Sequence, residues 1–201
     1  MSGAVAEGRM PGLERLRELL RKGGGLLAGL LAEGDAGPGA EARSGPLRAQ
    51  GNGALATDAG PAGIAAAGPR AQGHRDEYEL LVEAIYEGYL LHYGAPRVLR
   101  VPEDDLALLA GDRLYAIGLA RLVGLGDTEA VAELADTITL SALAHGADDA
   151  ELAEAVWSAG ARAVGWGACP EHAEAKRLVL AGDPGALEAM RTSARGAPAP
   201  R

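Results

Sequence analysis

Three glutamates, Glu79, Glu83 and Glu87, fall at i, i+4 and i+8. On a helix that spacing stacks them along one face. Like charges at that spacing repel slightly. Glu83 and Glu87 could still hold one ion. The plainer reading is a solvated acidic face, and it is preferred. Other chemistry-bearing residues are sparse. His92 and His145 each come late in a helical pattern, where the macrodipole favours a cation, so helix capping accounts for them. Glu171 and His172 are adjacent rather than at metal-binding helical spacing, and no HExxH occurs. Cys169 precedes Pro170 without an activating base nearby in sequence, so a packed or capping thiol is expected. As the one cysteine, it excludes an intrachain disulfide and a multi-cysteine metal site. No glycine-rich phosphate loop or Ser-His-Asp pattern stands out, so no catalytic residue is assigned.

The element that must position these groups is Asp105 to Val123, DLALLAGDRLYAIGLARLV. Its charges, Asp105, Asp112, Arg113 and Arg121, lie close to one helical stripe. Most of the remaining circumference is apolar, which predicts burial on more than one side. Ala107, Gly111 and Gly118 form a line of small residues that lets another helix approach closely. Glycine in a helix interior costs about 1 kcal/mol against alanine, so this line marks a tight packing site.

Charge divides the chain unevenly. Residues 1–75 carry nine Lys+Arg and seven Asp+Glu, and residues 76–201 carry ten and twenty-one, so nets of +2 and −11 make up the total of −9. The acidic part argues against binding a nucleic-acid backbone. There is no Phe, and Ala, Leu and Gly dominate. That composition favours helices packed through small side chains over a β-sheet. No apolar run reaches the ~20 residues that span a bilayer. LLAGLLA, residues 26–32, is short and flanked by acidic residues, so a cytoplasmic protein is expected rather than a secreted one.

Periodicity fills in the order. Residues 1–33 read as a loose start followed by an amphipathic helix from Pro11 to Lys22, interrupted by Gly23-Gly24-Gly25. This helix is expected to cap the main domain or to fray, with a docking helix for a partner or a membrane surface as the alternative. Residues 34–75 are rich in Gly, Ala and Pro with few large apolar groups, and read as a disordered linker. Residues 76–195 read as a helical domain. Its first helix begins near Asp76 and ends at Gly94-Ala95-Pro96. Asp127 is the expected N-cap of a later helix, and Asp148 with Glu151 makes a capping box for the next. Pro170 and Asp183-Pro184 start the last two. Residues 196–201 form a loose tail. The fold class is all-α, a helical bundle without a convincing strand.

The central helix resembles a helix of the trans-isoprenyl (polyprenyl) diphosphate synthases. It carries Leu109-Ala110-Gly111-Asp112-Arg113-Leu114-Tyr115, similar to that family's "LAGD" helix. Laid on without gaps, Gly94-Ala95-Pro96 falls on the family's Gly-x-Pro, and Glu83-Ala84-Ile85-Tyr86-Glu87 on its DDxxD. The carried-over positions are Gly94, Pro96, Gly111 and Asp112, and the likeness covers residues 76–165. In the family, paired aspartates hold Mg2+ that bridges to the diphosphate and neutralises it as it leaves. Here Ala84 replaces one of the pair, and His92 and Tyr93 replace the arginines that grip diphosphate. The second DDxxD and the Lys-Thr motif are missing. The resemblance therefore implies a shortened, catalytically lapsed version of the fold, similar to the small non-catalytic subunit of heteromeric bacterial synthases.

The expected function is a non-catalytic helical subunit or regulator. It would associate with a catalytic prenyl diphosphate synthase subunit or with itself, and Trp157 and Trp166 are the candidate interface residues. No cofactor is expected. The alternatives are a helical scaffold unrelated to isoprenoids, and a diverged diphosphate-binding enzyme that uses Mg2+ at Glu83, Glu87 and Asp112.

Overall fold

A computed structural model describes residues 11–32 and 60–196. The expected loose start, most of the expected linker and the loose tail lie outside those residues. The described chain is all-α, as its composition predicts. The helices are α1 (Gly12–Gly23), α2 (Gly25–Gly29), α3 (Pro61–Ala67), α4 (Arg75–Tyr93), α5 (Asp104–Gly124), α6 (Thr128–Gly146), α7 (Ala150–Trp166), α8 (Pro170–Leu180) and α9 (Ala186–Arg195), with a 3-10 turn at Pro69–Ala71. One isolated antiparallel bridge pairs Leu31 with Leu99.

The amphipathic N-terminal helix is part of the main body. Leu16 and Leu20 of α1 and Leu27 of α2 are buried with Leu80, Ala84 and Leu91 of α4 and Ala107, Ala110 and Leu114 of α5. Arg15 reaches Glu79 at 2.6 Å and Asp76 at 2.9 Å. Backbone bonds from Ala32 to Val98 and from Arg100 to Leu30 fasten the chain after α2 to the loop before α5. Gly24 supplies the break between α1 and α2, with φ +61 in the region that favours glycine.

The expected linker needs a correction at its end. Residues 60–74 are not a linker: α3 and the 3-10 turn bury Ala62, Ala65, Ala66 and Ala71 in the core with Tyr78, Trp157 and Val164. The composition argument counted large apolar side chains. This segment packs instead by bringing backbones together. A Cβ on Gly165 of α7 would stand 2.6 Å from the Ala65 carbonyl oxygen, and one on Gly68 would collide with the Gly165 backbone. Few large side chains are needed where dispersion contacts come from the main chain itself.

The turn is also tied to α6. Asp127, the N-cap, accepts the Ala130 N–H at 3.0 Å and pairs with Arg70 at 2.6 Å. The Tyr78 hydroxyl donates to the same carboxylate. Burial and that acceptor raise the phenol to about 12. The next cap is Asp149 rather than Asp148: its side chain accepts from Leu152 N at 2.9 Å. Asp148 sits one residue earlier, at φ +58, where the turn leaves α6. Likewise α9 begins at Ala186, because Asp183 accepts the Gly185 N–H at 2.8 Å in a local turn.

The central helix, α5, packs along α4 as its small-residue line predicts. A Cβ on Gly118 would meet Ile85, and stand 2.9 Å from the Leu81 carbonyl oxygen. One on Gly111 would collide with the His92 ring. Gly88 answers from α4, where a Cβ would stand 2.8 Å from the Gly111 oxygen. The expected burial on more than one side is not found. Ala107, Ala110, Gly111, Leu114, Gly118 and Leu122 form one buried stripe. The opposite face exposes Leu109 by 62%, Val123 by 58% and Leu108 by 46%.

Candidate functional site

Helix α4 and the loop after it decide the fate of the two candidate metal ligands. Glu87 is 0% exposed, so the solvated acidic face does not hold for it. Its Oε1 accepts backbone N–H groups from Arg97 at 2.8 Å, Val98 at 2.7 Å and Leu99 at 3.2 Å. Its Oε2 faces Arg97 Nε at 3.4 Å. Glu83 accepts Arg97 Nη2 at 2.6 Å. Burial pushes the Glu83 carboxyl upward, against the pull of the Arg97 guanidinium. Gly94 and Pro96 sit in the turn that folds the loop back onto Glu87; the Gly94 N–H closes α4 on Leu90 O at 2.9 Å. A buried carboxylate that receives three N–H groups is a loop anchor, with little lone-pair capacity left for an ion. Among the described residues no group of three or more His, Cys, Asp or Glu side chains could hold a metal.

The other carried-over positions lie on α5. Gly111 belongs to the α4–α5 seam. Asp112 is exposed, 3.4 Å from His92 Nε2. That nitrogen also lies 3.2 Å from the Leu108 carbonyl oxygen, so His92 bridges to α5 rather than capping its own helix.

Beyond this bridge lies the outer face of α5. Its exposed positions from Leu108 to Gly124 are Leu108, Leu109, Asp112, Arg113, Ala116, Ala120, Val123 and Gly124. In that stretch only Asp112 and Arg113 carry charge, and Asp104 and Asp105 are exposed where the helix begins.

Compared with protein-family models, curated proteins and solved structures, the chain matches none. The side chains alone therefore carry the functional argument.

The two tryptophans have different roles. Trp157 is 1% exposed and packs edge-on to Tyr86, with ring centroids 4.9 Å apart. It is a core residue of this chain, which corrects its assignment to an interface; a large ring at the α3–α4–α7 crossing fills space the alanines leave. Trp166 is 39% exposed, with the Arg162 guanidinium 4.7 Å over its ring. His145 stacks on Tyr93 at 4.4 Å and faces the Tyr89 hydroxyl through Nε2 at 2.9 Å. Burial holds its pKa down, which favours a neutral imidazole that accepts a hydrogen bond from the phenol.

One cluster escaped the sequence reading. His172 is buried, with Nδ1 2.8 Å from Ser193 Oγ and Nε2 3.1 Å from Glu133 Oε2. Lys176 bonds Glu133 at 3.0 Å and Asp136 at 2.7 Å. Burial pushes the Glu133 carboxyl upward, but the hydrogen bonds from His172 and Lys176 outweigh it and hold the pKa below the usual range. The order serine, histidine, carboxylate is that of an activated nucleophile. Here Lys176 already neutralises the carboxylate and Ser193 is buried, so the cluster works as a clamp joining α6, α8 and α9. Cys169 stands at the N-cap position of α8, half-buried.

Proposed function

We propose that this chain is a non-catalytic helical protein that acts by association, through the outer face of α5. The observation that carries the reading is the mismatch on that helix. Its sequence is apolar around most of its circumference, which predicts burial on more than one side, yet the described chain covers one stripe and leaves Leu108, Leu109 and Val123 outside. Burial of such side chains stabilises by about 25 cal/mol per Å2 of apolar area, so a partner helix gains by covering them. The use of Glu83 and Glu87 as loop anchors supports the non-catalytic part.

Among the described residues no helix is long and apolar enough to cross a membrane. The partner class named by the resemblance is a catalytic prenyl diphosphate synthase subunit; a second copy of the chain is the other. The test is an affinity capture of the tagged full chain from its native cells, with mass spectrometry, beside Leu109→Asp. A captured chain with intact DDxxD motifs, lost in Leu109→Asp, identifies a synthase subunit. Capture of unrelated helical proteins by the same face gives a scaffold. Equal capture by both forms sinks the α5 assignment.

A further inference from the structure

The inference that follows rests on the association reading and names its partner. We infer that the outer face of α5 pairs with the same face of a second copy, antiparallel and about a two-fold axis near Arg113. The argument begins with charge. Asp112 and Arg113 are adjacent, exposed and opposite in sign; the other exposed charges of the helix, Asp104 and Asp105, lie about two turns nearer its start. Among the described residues no carboxylate pairs with Arg113, and the cation within ion-pair range of Asp112 is His92, at 3.4 Å. Adjacent opposite charges cannot satisfy each other well along one helix, since side chains one position apart do not face each other. Two antiparallel copies with their axis at this point bring Asp112 of each within reach of Arg113 of the other. The contact is isologous and closes on itself, as a two-fold interface must.

Shape points the same way. About that axis, Leu109 of each copy lies over Ala116 of the other. A large exposed side chain then meets a small one, which lets the helices approach closely. The helix dipoles run antiparallel, which also favours this arrangement. A helix pair of this length gives an interface at the low end for specific complexes, so the dimer is reversible and its population follows concentration.

Sedimentation velocity of the purified full chain across a wide concentration range tests this. The wild type is expected to move from monomer to dimer mass as concentration rises. Leu109→Asp and Ala116→Asp are expected to stay monomeric with unchanged far-ultraviolet circular dichroism. Arg113→Glu places like charges opposite and weakens the dimer on the order of tenfold. The swap Asp112→Arg with Arg113→Asp restores the cross-pairing and with it the dimer; a variant that had merely misfolded would not be rescued. A wild type that stays monomeric throughout overturns the self-pairing alone, since association is judged separately by whether a captured partner depends on Leu109. A dimer unmoved by the Leu109 and Ala116 changes overturns it as well, by placing the contact elsewhere.

Discussion

Oε1 of Glu87 accepts the Val98 N–H at 2.7 Å inside the body, and the same oxygen takes the N–H groups of Arg97 and Leu99. One carboxylate thus organises the chain reversal between α4 and α5. It also fixes Val98 and Leu99, which are buried among α1, α4 and α5. Removing a group that leaves several buried donors unpaired is costly. Glu87→Ala is expected to lower stability by about 3 kcal/mol, read from denaturant unfolding. Isothermal titration of Mg2+ with inorganic diphosphate is expected to give no heat of binding in wild type or in Glu83→Ala. An unchanged midpoint in Glu87→Ala, together with diphosphate binding that Glu83→Ala abolishes, would restore the metal reading.

The α4–α5 seam makes a prediction with an internal control. Gly111→Ala and Gly118→Ala each place a methyl group against the facing helix, at the His92 ring and at Ile85. Overpacking of this kind costs about 1–3 kcal/mol. Gly124, at the last position of the same helix, has nothing within 4 Å of an added Cβ. Gly124→Ala is expected to be neutral or to stabilise by up to about 1 kcal/mol, through helix propensity alone. Thermal melts of the three variants decide it: equal effects would mean the seam is not a close contact.

How much of this the sequence discloses depends on the range of the signal. Asp127 as a cap and the Ala107–Gly111–Gly118 line are legible because each is written within a few residues of one helix. Gly88 faces Gly111 yet leaves no mark in the sequence, since a single glycine among large residues has no periodicity of its own. The α3 segment looks like a linker because its core is alanine rather than large side chains. Glu87 looks like a surface acid because its partners are backbone N–H groups, which no residue type announces. The Glu133–His172–Ser193 clamp joins three helices across separations of 39 and 21 residues, and only tertiary packing brings those together.

His145 gives the chain a pH response of known sign. Burial lowers its folded-state pKa, so the unfolded chain binds the proton more readily. Stability is therefore full above the unfolded value, near about 6.5, and declines as pH falls through it. Asp127 and Glu133 also have depressed pKa values, but their stabilisation is lost at lower pH, through the carboxylate range. His145→Phe keeps a ring against Tyr93 and removes the titrating nitrogen. Between about pH 7 and 5 its melting temperature is expected to fall less than that of the wild type. Parallel curves for the two proteins would show that His145 is not the group responsible.

The clamp between α6, α8 and α9 sets a last expectation. His172→Ala leaves Ser193 Oγ without its partner in a buried space and opens a cavity, while the Glu133 oxygen it faced keeps Lys176 at 3.0 Å. An unpaired buried group and lost volume together cost about 2–4 kcal/mol. Ser193→Ala removes one hydrogen bond to His172 and little volume, for about 1 kcal/mol. Because both changes break the same contact, the double variant is expected to cost less than the sum of the two. Additive losses in denaturant unfolding would mean that the 2.8 Å contact between His172 and Ser193 contributes nothing of its own. A catalytic use of the same three groups predicts something different: covalent labelling of Ser193 by a fluorophosphonate probe, lost in His172→Ala. The clamp predicts no labelling in either protein, because Ser193 is buried and Lys176 already pairs with the Glu133 carboxylate.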